Sequence, residues 1–198
     1  MKRTAFFIAA VLLCCTACAD SRTNESKPDS ITQDDSSSAD GIVQVDWQTQ
    51  RVYQWQDYYR KDYPFGEDFE LHLALADFPD TEFIWRDMSI YAAENGEECA
   101  LLGGMPLWNA FFTDLNGDGY PELCSTVSFG SGIIDDHIIV YDHHNQTHHT
   151  LNARFSFDYS LYLEDDVLYV RKVPYPAGAD TEEEIGILAL EQGGLITK

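Results

Sequence analysis

From Phe69 onward the apolar residues recur at every second position, and that period decides what the chain can fold into. Phe69, Leu71, Leu73 and Leu75 alternate with Glu70, His72, Ala74 and Ala76. This is the pattern of a strand with one face in a core and the other toward water. Phe78-Pro79-Asp80 interrupts it, and strand-like runs follow over Glu82–Arg86, Met88–Ala93 and Glu98–Leu102. Between the last two, Asn95-Gly96 is a dipeptide suited to a two-residue hairpin, whose central residues both take positive φ. Later runs cover Met105–Asp114, Glu122–Phe129, Ile133–Asp142, Thr150–Phe157, Tyr159–Leu163, Val167–Val173, Ile185–Leu190 and Leu195–Thr197. Asp165-Asp166 and Gln192-Gly193-Gly194 supply turns between neighbours. Nothing after Phe69 keeps an apolar stripe at helical spacing for three turns. Asp46–Asp62 is the one candidate for a short N-terminal helix, with Trp47, Val52, Tyr53, Trp55, Tyr58 and Tyr59 fitting neither period well. Many short strands with regular turns predict a mainly β domain, an antiparallel sandwich or meander. The lack of a clean internal repeat argues against a propeller.

The first forty residues follow different rules. Lys2 and Arg3 precede a short apolar run ending at Leu13, and Cys15-Thr16-Ala17-Cys18 follows it. A positive start, a short apolar stretch and small residues make an export signal. The apolar run is too short to cross a bilayer, which takes about 20 residues in a helix. Thr16-Ala17-Cys18 resembles the end of a bacterial lipobox, in which the cysteine becomes the lipid-bearing N-terminus. Cys15 stands where that motif more often has leucine. The stretch from Asp20 to Asp40 is serine-rich and acidic and holds almost nothing able to build a core, so it is expected to be a disordered tether. The expected organisation is therefore a signal peptide over 1–17, lipidated Cys18 and tether over 18–40, and a single β-rich extracytoplasmic domain over 41–198. The expected location is the outer face of the cell membrane, held by lipid.

Charge narrows the partners. The chain has 34 acidic and 12 basic residues, and removing Lys2 and Arg3 with the signal leaves a formal charge of −24. Such a surface repels nucleic acid and attracts cations.

One loop carries specific chemistry. Asp114-Leu115-Asn116-Gly117-Asp118-Gly119 is a D-x-N-x-D-G pattern between two strand-like runs. Oxygen-bearing side chains at alternate positions wrap the chain around one hard cation, and calcium takes such oxygen ligands. Asp114, Asn116 and Asp118 supply side-chain oxygens in this reading, Tyr120 a backbone carbonyl, and Glu122 a further oxygen, directly or through water. Gly119 permits the sharp turn. The match to an EF-hand stops there. Its twelfth position, counted from Asp114, is Ser125 rather than glutamate, and Pro121 obstructs a following helix. The expected unit is strand, calcium loop, strand. It resembles the single-ion loops of FG-GAP and VCBS-type repeats, in one copy.

The stretch Trp108–Asp135, which contains this loop and Gly130-Ser131-Gly132, resembles an extracytoplasmic module of Firmicutes. That module occurs in stand-alone lipoproteins and at the end of BlaR/MecR-type membrane metallopeptidases. The resemblance extends over about Phe65 to Tyr175 and implies sensing or interaction outside the membrane. It does not carry peptidase activity here, because the chain lacks H-E-x-x-H, and it lacks the S-x-x-K pattern of a β-lactam-acylating serine. Cys99 and the histidine-rich turn depart from the module.

Other features favour plain readings. Cys99 and Cys124 remain after the signal and the lipid take the other cysteines, and both a disulfide and two free thiols stay open. His143, His144, His148 and His149 bracket Asn145-Gln146-Thr147, read as an exposed polar hairpin turn rather than a transition-metal site. Ser128-Phe129-Gly130-Ser131-Gly132 is not a nucleophile elbow. Asp135-Asp136 and Asp165-Asp166 are adjacent pairs, which a strand points to opposite faces. The function expected is a non-enzymatic, calcium-stabilised binding or sensing module with a cell-surface protein or glycan as partner. The alternative is a surface hydrolase or carbohydrate-processing accessory, and the aromatic residues before Gly66 are where a binding face is expected.

Overall fold

The alternation becomes fourteen strands in three sheets, with no helix among the described residues. The computed structural model describes residues 42–59, 61, 63–66, 69–130, 132–153, 155–176 and 182–198. The export signal, Cys18 and the tether lie outside these residues. The first sheet orders β1 (Ile42–Val43), β3 (Glu70–Leu75), β4 (Thr81–Arg86), β5 (Ser89–Glu94) and β6 (Glu97–Gly103). The central sheet orders β10 (Thr147–Leu151), β9 (Asp135–Asp142), β8 (Glu122–Phe129), β7 (Asn109–Thr113) and β2 (Tyr53–Asp57). The C-terminal sheet orders β11 (Phe157–Glu164), β12 (Val167–Pro174), β13 (Glu184–Glu191) and β14 (Gly194–Thr197). Neighbours are antiparallel apart from β1, which runs parallel to β3.

The central sheet has a core on each face. Phe112, Leu123, Val127 and Tyr141 pack with Phe83, Trp85 and Ile90 of the first sheet. Phe111, Cys124, Ile138 and Val140 pack with Leu161, Leu168, Val170 and Leu188 of the C-terminal sheet. Successive strand residues point to opposite faces, so Phe111 and Phe112 are both buried although they are neighbours in sequence. Each such side chain contributes about 1.5–3 kcal/mol over leaving it in water. Buried polar groups stitch the layers together. Asn109 accepts from the Thr126 amide at 2.7 Å and donates to the Leu161 carbonyl at 3.2 Å, while the Leu161 amide donates to Thr126 Oγ1 at 2.8 Å.

The three expected tight turns form with positive φ at both central residues: Asn95 and Gly96 at 51° and 83°, Asp165 and Asp166 at 48° and 59°, Gln192 and Gly193 at 50° and 78°. The helix over Asp46–Asp62 does not form. Asp46 closes one turn instead, its carbonyl accepting from the Thr49 and Gln50 amides at 2.9 and 2.6 Å. The chain then enters β2, paired with β7 across a register shift between Gln54 and Gln56. That bulge breaks the alternation of Tyr53 and Trp55, which is why the segment matched neither period. Strand β10 begins at Thr147, earlier than the apolar pattern indicated. It is the sheet's outer strand, so Thr147, His148 and Thr150 are exposed and carry no alternation to read.

Candidate metal centre

The loop over residues 114–121 is held between two of the most buried strands. Every residue of β7 is buried, and β8 is buried from Glu122 to Ser128. Within the loop, side chains bind the backbone that follows them. Asp114 accepts from the Gly117 and Gly119 amides at 2.6 and 2.9 Å, Asn116 Oδ1 from the Asp118 amide at 2.8 Å, and Asp118 from the Tyr120 amide at 2.9 Å. Gly117 and Gly119, at φ 80° and 90°, take the left-handed backbone that this winding needs. Glu122 turns back to close the loop, accepting from the Leu115 amide at 2.6 Å.

Four of the five residues expected as ligands through side chains or backbone are drawn together by these contacts. Carboxylate oxygens of Asp114, Asp118 and Glu122 lie within 4.8 Å of one another, a set able to hold a metal ion. Asn116 Nδ2 donates into the same space, 2.5 Å from Glu122 and 3.2 Å from Asp118. Tyr120, the fifth, is placed by its ring, stacked on His144 with centroids 3.9 Å apart and planes 4° apart.

Two further residues escaped the sequence reading. Asp142 ends β9 and is only 4% exposed. Leu123 pairs with Tyr141, so the next register position sets Glu122 opposite Asp142, two carboxylates on one face of adjacent strands. Asp142 Oδ2 is 3.5 Å from Asn116 Nδ2 and accepts from Asn145 Nδ2 at 2.8 Å, and Asn145 also reaches Asp118 at 3.4 Å. The D-x-N-x-D-G spacing is local and has no means of showing a residue twenty positions on. Only the β8–β9 register brings Asp142 in.

The electrostatics follow from this convergence. Glu122 is 1% exposed, and burial pushes its carboxyl up to about 7. Asp142, Asp114 and Asp118 raise it further, while the Leu115 amide opposes the rise. Among the described residues no lysine or arginine bonds to any of these carboxylates. Like charges converging in a poorly hydrated place are stabilised by a proton or a cation.

The other features singled out in the sequence resolve differently. Cys99 is exposed and Cys124 buried, and both are free thiols. The histidine turn is not uniformly exposed. His143 is buried against Phe78 and Phe83, with Nε2 3.0 Å from Glu94, and burial lowers its pKa. His148 Nε2 lies 2.8 Å from the Leu101 carbonyl and His149 Nδ1 3.1 Å from that of Gly193. His144 covers Tyr120, so the four rings serve four separate contacts. His143→Ala is accordingly expected to cost about 2–4 kcal/mol, as a large-to-small change in a core, whereas His149→Ala stays within about 0.5 kcal/mol. Urea unfolding of both variants checks this, and equal costs would contradict it.

At the β8–β9 end Ser128 Oγ donates to Asp136, which also accepts from the Tyr59 hydroxyl at 2.9 Å, and among the described residues no imidazole bonds to that serine. Asp135 faces His137 at 3.3 Å on the opposite side of the strand. The aromatic segment before Gly66 packs largely inward: Trp55 meets Trp85 and Phe112, and Tyr58 meets Tyr63, Phe69 and Trp85. Comparison with protein-family models, curated proteins and solved structures gives no match.

Proposed function

We propose that the chain is a lipid-anchored, calcium-stabilised β-domain at the cell surface that binds or senses and does not catalyse. The observation that carries the calcium reading is the meeting of Asp114, Asp118 and Glu122 between core strands, with buried Asp142 linked to them through Asn116. Oxygen donors of this kind suit a hard cation, and Asn116 and the Tyr120 carbonyl add neutral oxygens if the Asn116 amide turns its oxygen inward. Calcium fits such a loop better than magnesium, which needs a tighter octahedron. A bound ion neutralises buried carboxylates and fixes the β7–β8 hairpin, so its first role is structural.

The anchoring reading rests on Lys2, Arg3, the short apolar run and Thr16-Ala17-Cys18. Cys18→Ala is expected to move the protein from the membrane fraction to the medium, since no second anchor is proposed. Fractionation of expressing cells tests it, and retention in the membrane after that change would sink the claim. The likeness of Trp108–Asp135 to an extracytoplasmic module of Firmicutes lipoproteins, present also at the end of BlaR/MecR-type metallopeptidases, supports a role in sensing or interaction.

A further inference from the structure

A cavity of about 380 Å³ opens beside the calcium loop, within the range of roughly 300–1,000 Å³ typical of small-ligand sites. Its walls come from the segment before β2, the end of β7, the β11–β12 turn and β13. The lining is apolar where it is deepest. Val52, Leu168 and Leu188 are each 3% exposed and present their sides to it, with Leu115 and Trp47 alongside. The Trp47 indole is fixed by an N–H bond to Asp77 at 3.3 Å.

Three charged residues complete the lining: Arg51, Asp114 and Asp166. They are not equivalent. Asp114 belongs to the loop proposed to hold the ion, where its oxygens accept from the Gly117 and Gly119 amides. Arg51 and Asp166 are exposed, and neither has an ion-pair partner among the described residues. An unpaired arginine is unusual in a chain with 34 acidic and 12 basic residues. Both are held by their backbones. The Arg51 carbonyl accepts from Thr113 Oγ1 at 2.7 Å, and Asp166 sits in a positive-φ hairpin turn. The cavity therefore offers an apolar floor, one free guanidinium and one free carboxylate.

The ligand that matches has an apolar body and both charges. A fatty acid would satisfy Arg51 and bring its carboxylate toward Asp166. A neutral sugar would leave the Arg51 guanidinium and the Asp166 carboxylate without a counter-charge. We propose that this cavity binds a short apolar peptide with free termini, its carboxylate on Arg51 and its ammonium on Asp166. The fork of a guanidinium suits a carboxylate through paired N–H bonds. The proposal gives a ligand class to the binding role stated above and rests on that reading, but its residues, Asp114 apart, are not those of the ion.

Titration calorimetry of the full chain in detergent and excess calcium tests it, with leucyl-leucine as the probe. Saturable binding with one site is expected. Blocking the amine, as in N-acetyl-leucyl-leucine, or the carboxylate, as in leucyl-leucinamide, should each weaken it roughly tenfold, the loss of one charge-assisted contact. Arg51→Gln should weaken leucyl-leucine by the same factor and leave leucyl-leucinamide unchanged, so that the two losses do not add. Asp166→Asn should do the reverse, sparing only the N-acetylated peptide. No saturable heat up to about 1 mM peptide, well above the affinities of ordinary small-ligand sites, would overturn the proposal. So would equal binding of the blocked peptides, or binding of chitobiose in place of the dipeptide. Melting with and without calcium is read on the same samples. An intact calcium shift without peptide binding removes the cavity proposal alone, and peptide binding without a calcium shift removes the ion alone.

Discussion

Saturating calcium is expected to raise the melting temperature of the protein by roughly 5–10 °C over its value in EDTA. Extracellular calcium sites bind with dissociation constants of about 0.1–1 mM. At a hundredfold excess over that constant, binding to the folded state alone contributes about 2.7 kcal/mol. For a domain of this length each kcal/mol moves the midpoint by about 2–4 °C. Asp118→Ala should abolish the shift, because it removes a side-chain oxygen and one of the negative charges of the cluster. Asp142→Asn should reduce it, which separates the site described here from one confined to residues 114–122. Asp80→Asn, an exposed acid in the β3–β4 turn, should leave it intact. Magnesium should do much less than calcium. Identical melting in EDTA and in calcium would mean that the loop is only an acidic turn.

The sequence showed the parts of this molecule that are local. Alternation at Phe69–Ala76 marked β3, and the dipeptides Asn95-Gly96 and Asp165-Asp166 marked hairpins that form with the expected backbone. The D-x-N-x-D-G spacing marked the loop because Asp114, Asn116 and Asp118 lie on one short piece of chain. What failed was non-local. Strand β2 was obscured by a bulge that exists only in its pairing with β7. The burial of His143 depends on Phe78 and Phe83, 65 and 60 residues before it, so its neighbours in sequence suggested only a polar turn. Asp142 looked like one acid among 34, and becomes distinctive only when the β8–β9 register sets it opposite Glu122. The covering of the central sheet on both faces was not legible: β8 carries Glu122, Cys124, Thr126 and Ser128 at alternate positions, a polar pattern whose burial depends on the flanking C-terminal sheet.

In the calcium-free protein, stability is expected to fall as pH rises from about 5 to about 8, opposite to the behaviour of a salt-bridged carboxylate. The cause is Glu122. Its carboxyl titrates at 4.5 when unperturbed and at about 7 in the folded protein, raised first by burial and then by Asp142, Asp114 and Asp118. Between those values the folded state holds a proton that the unfolded state has released, so protonation favours folding there. The contribution is present in full below the unfolded value and is lost as pH climbs through about 7. A displacement of this size corresponds to about 3 kcal/mol, and at 1% exposure little of it is screened by water. On the proposed reading calcium would replace that proton, so its presence should flatten the profile, and calcium affinity should weaken as pH drops below about 7. Glu122→Gln should flatten it without calcium, because the neutral amide stands in for the protonated acid at every pH. Urea unfolding in EDTA at about pH 5.5 and about pH 8 measures the difference for both chains. If the unsubstituted protein is as stable at the higher pH as at the lower, or if Glu122→Gln keeps the same slope, the carboxylates do not meet as described and the buried charge is compensated elsewhere.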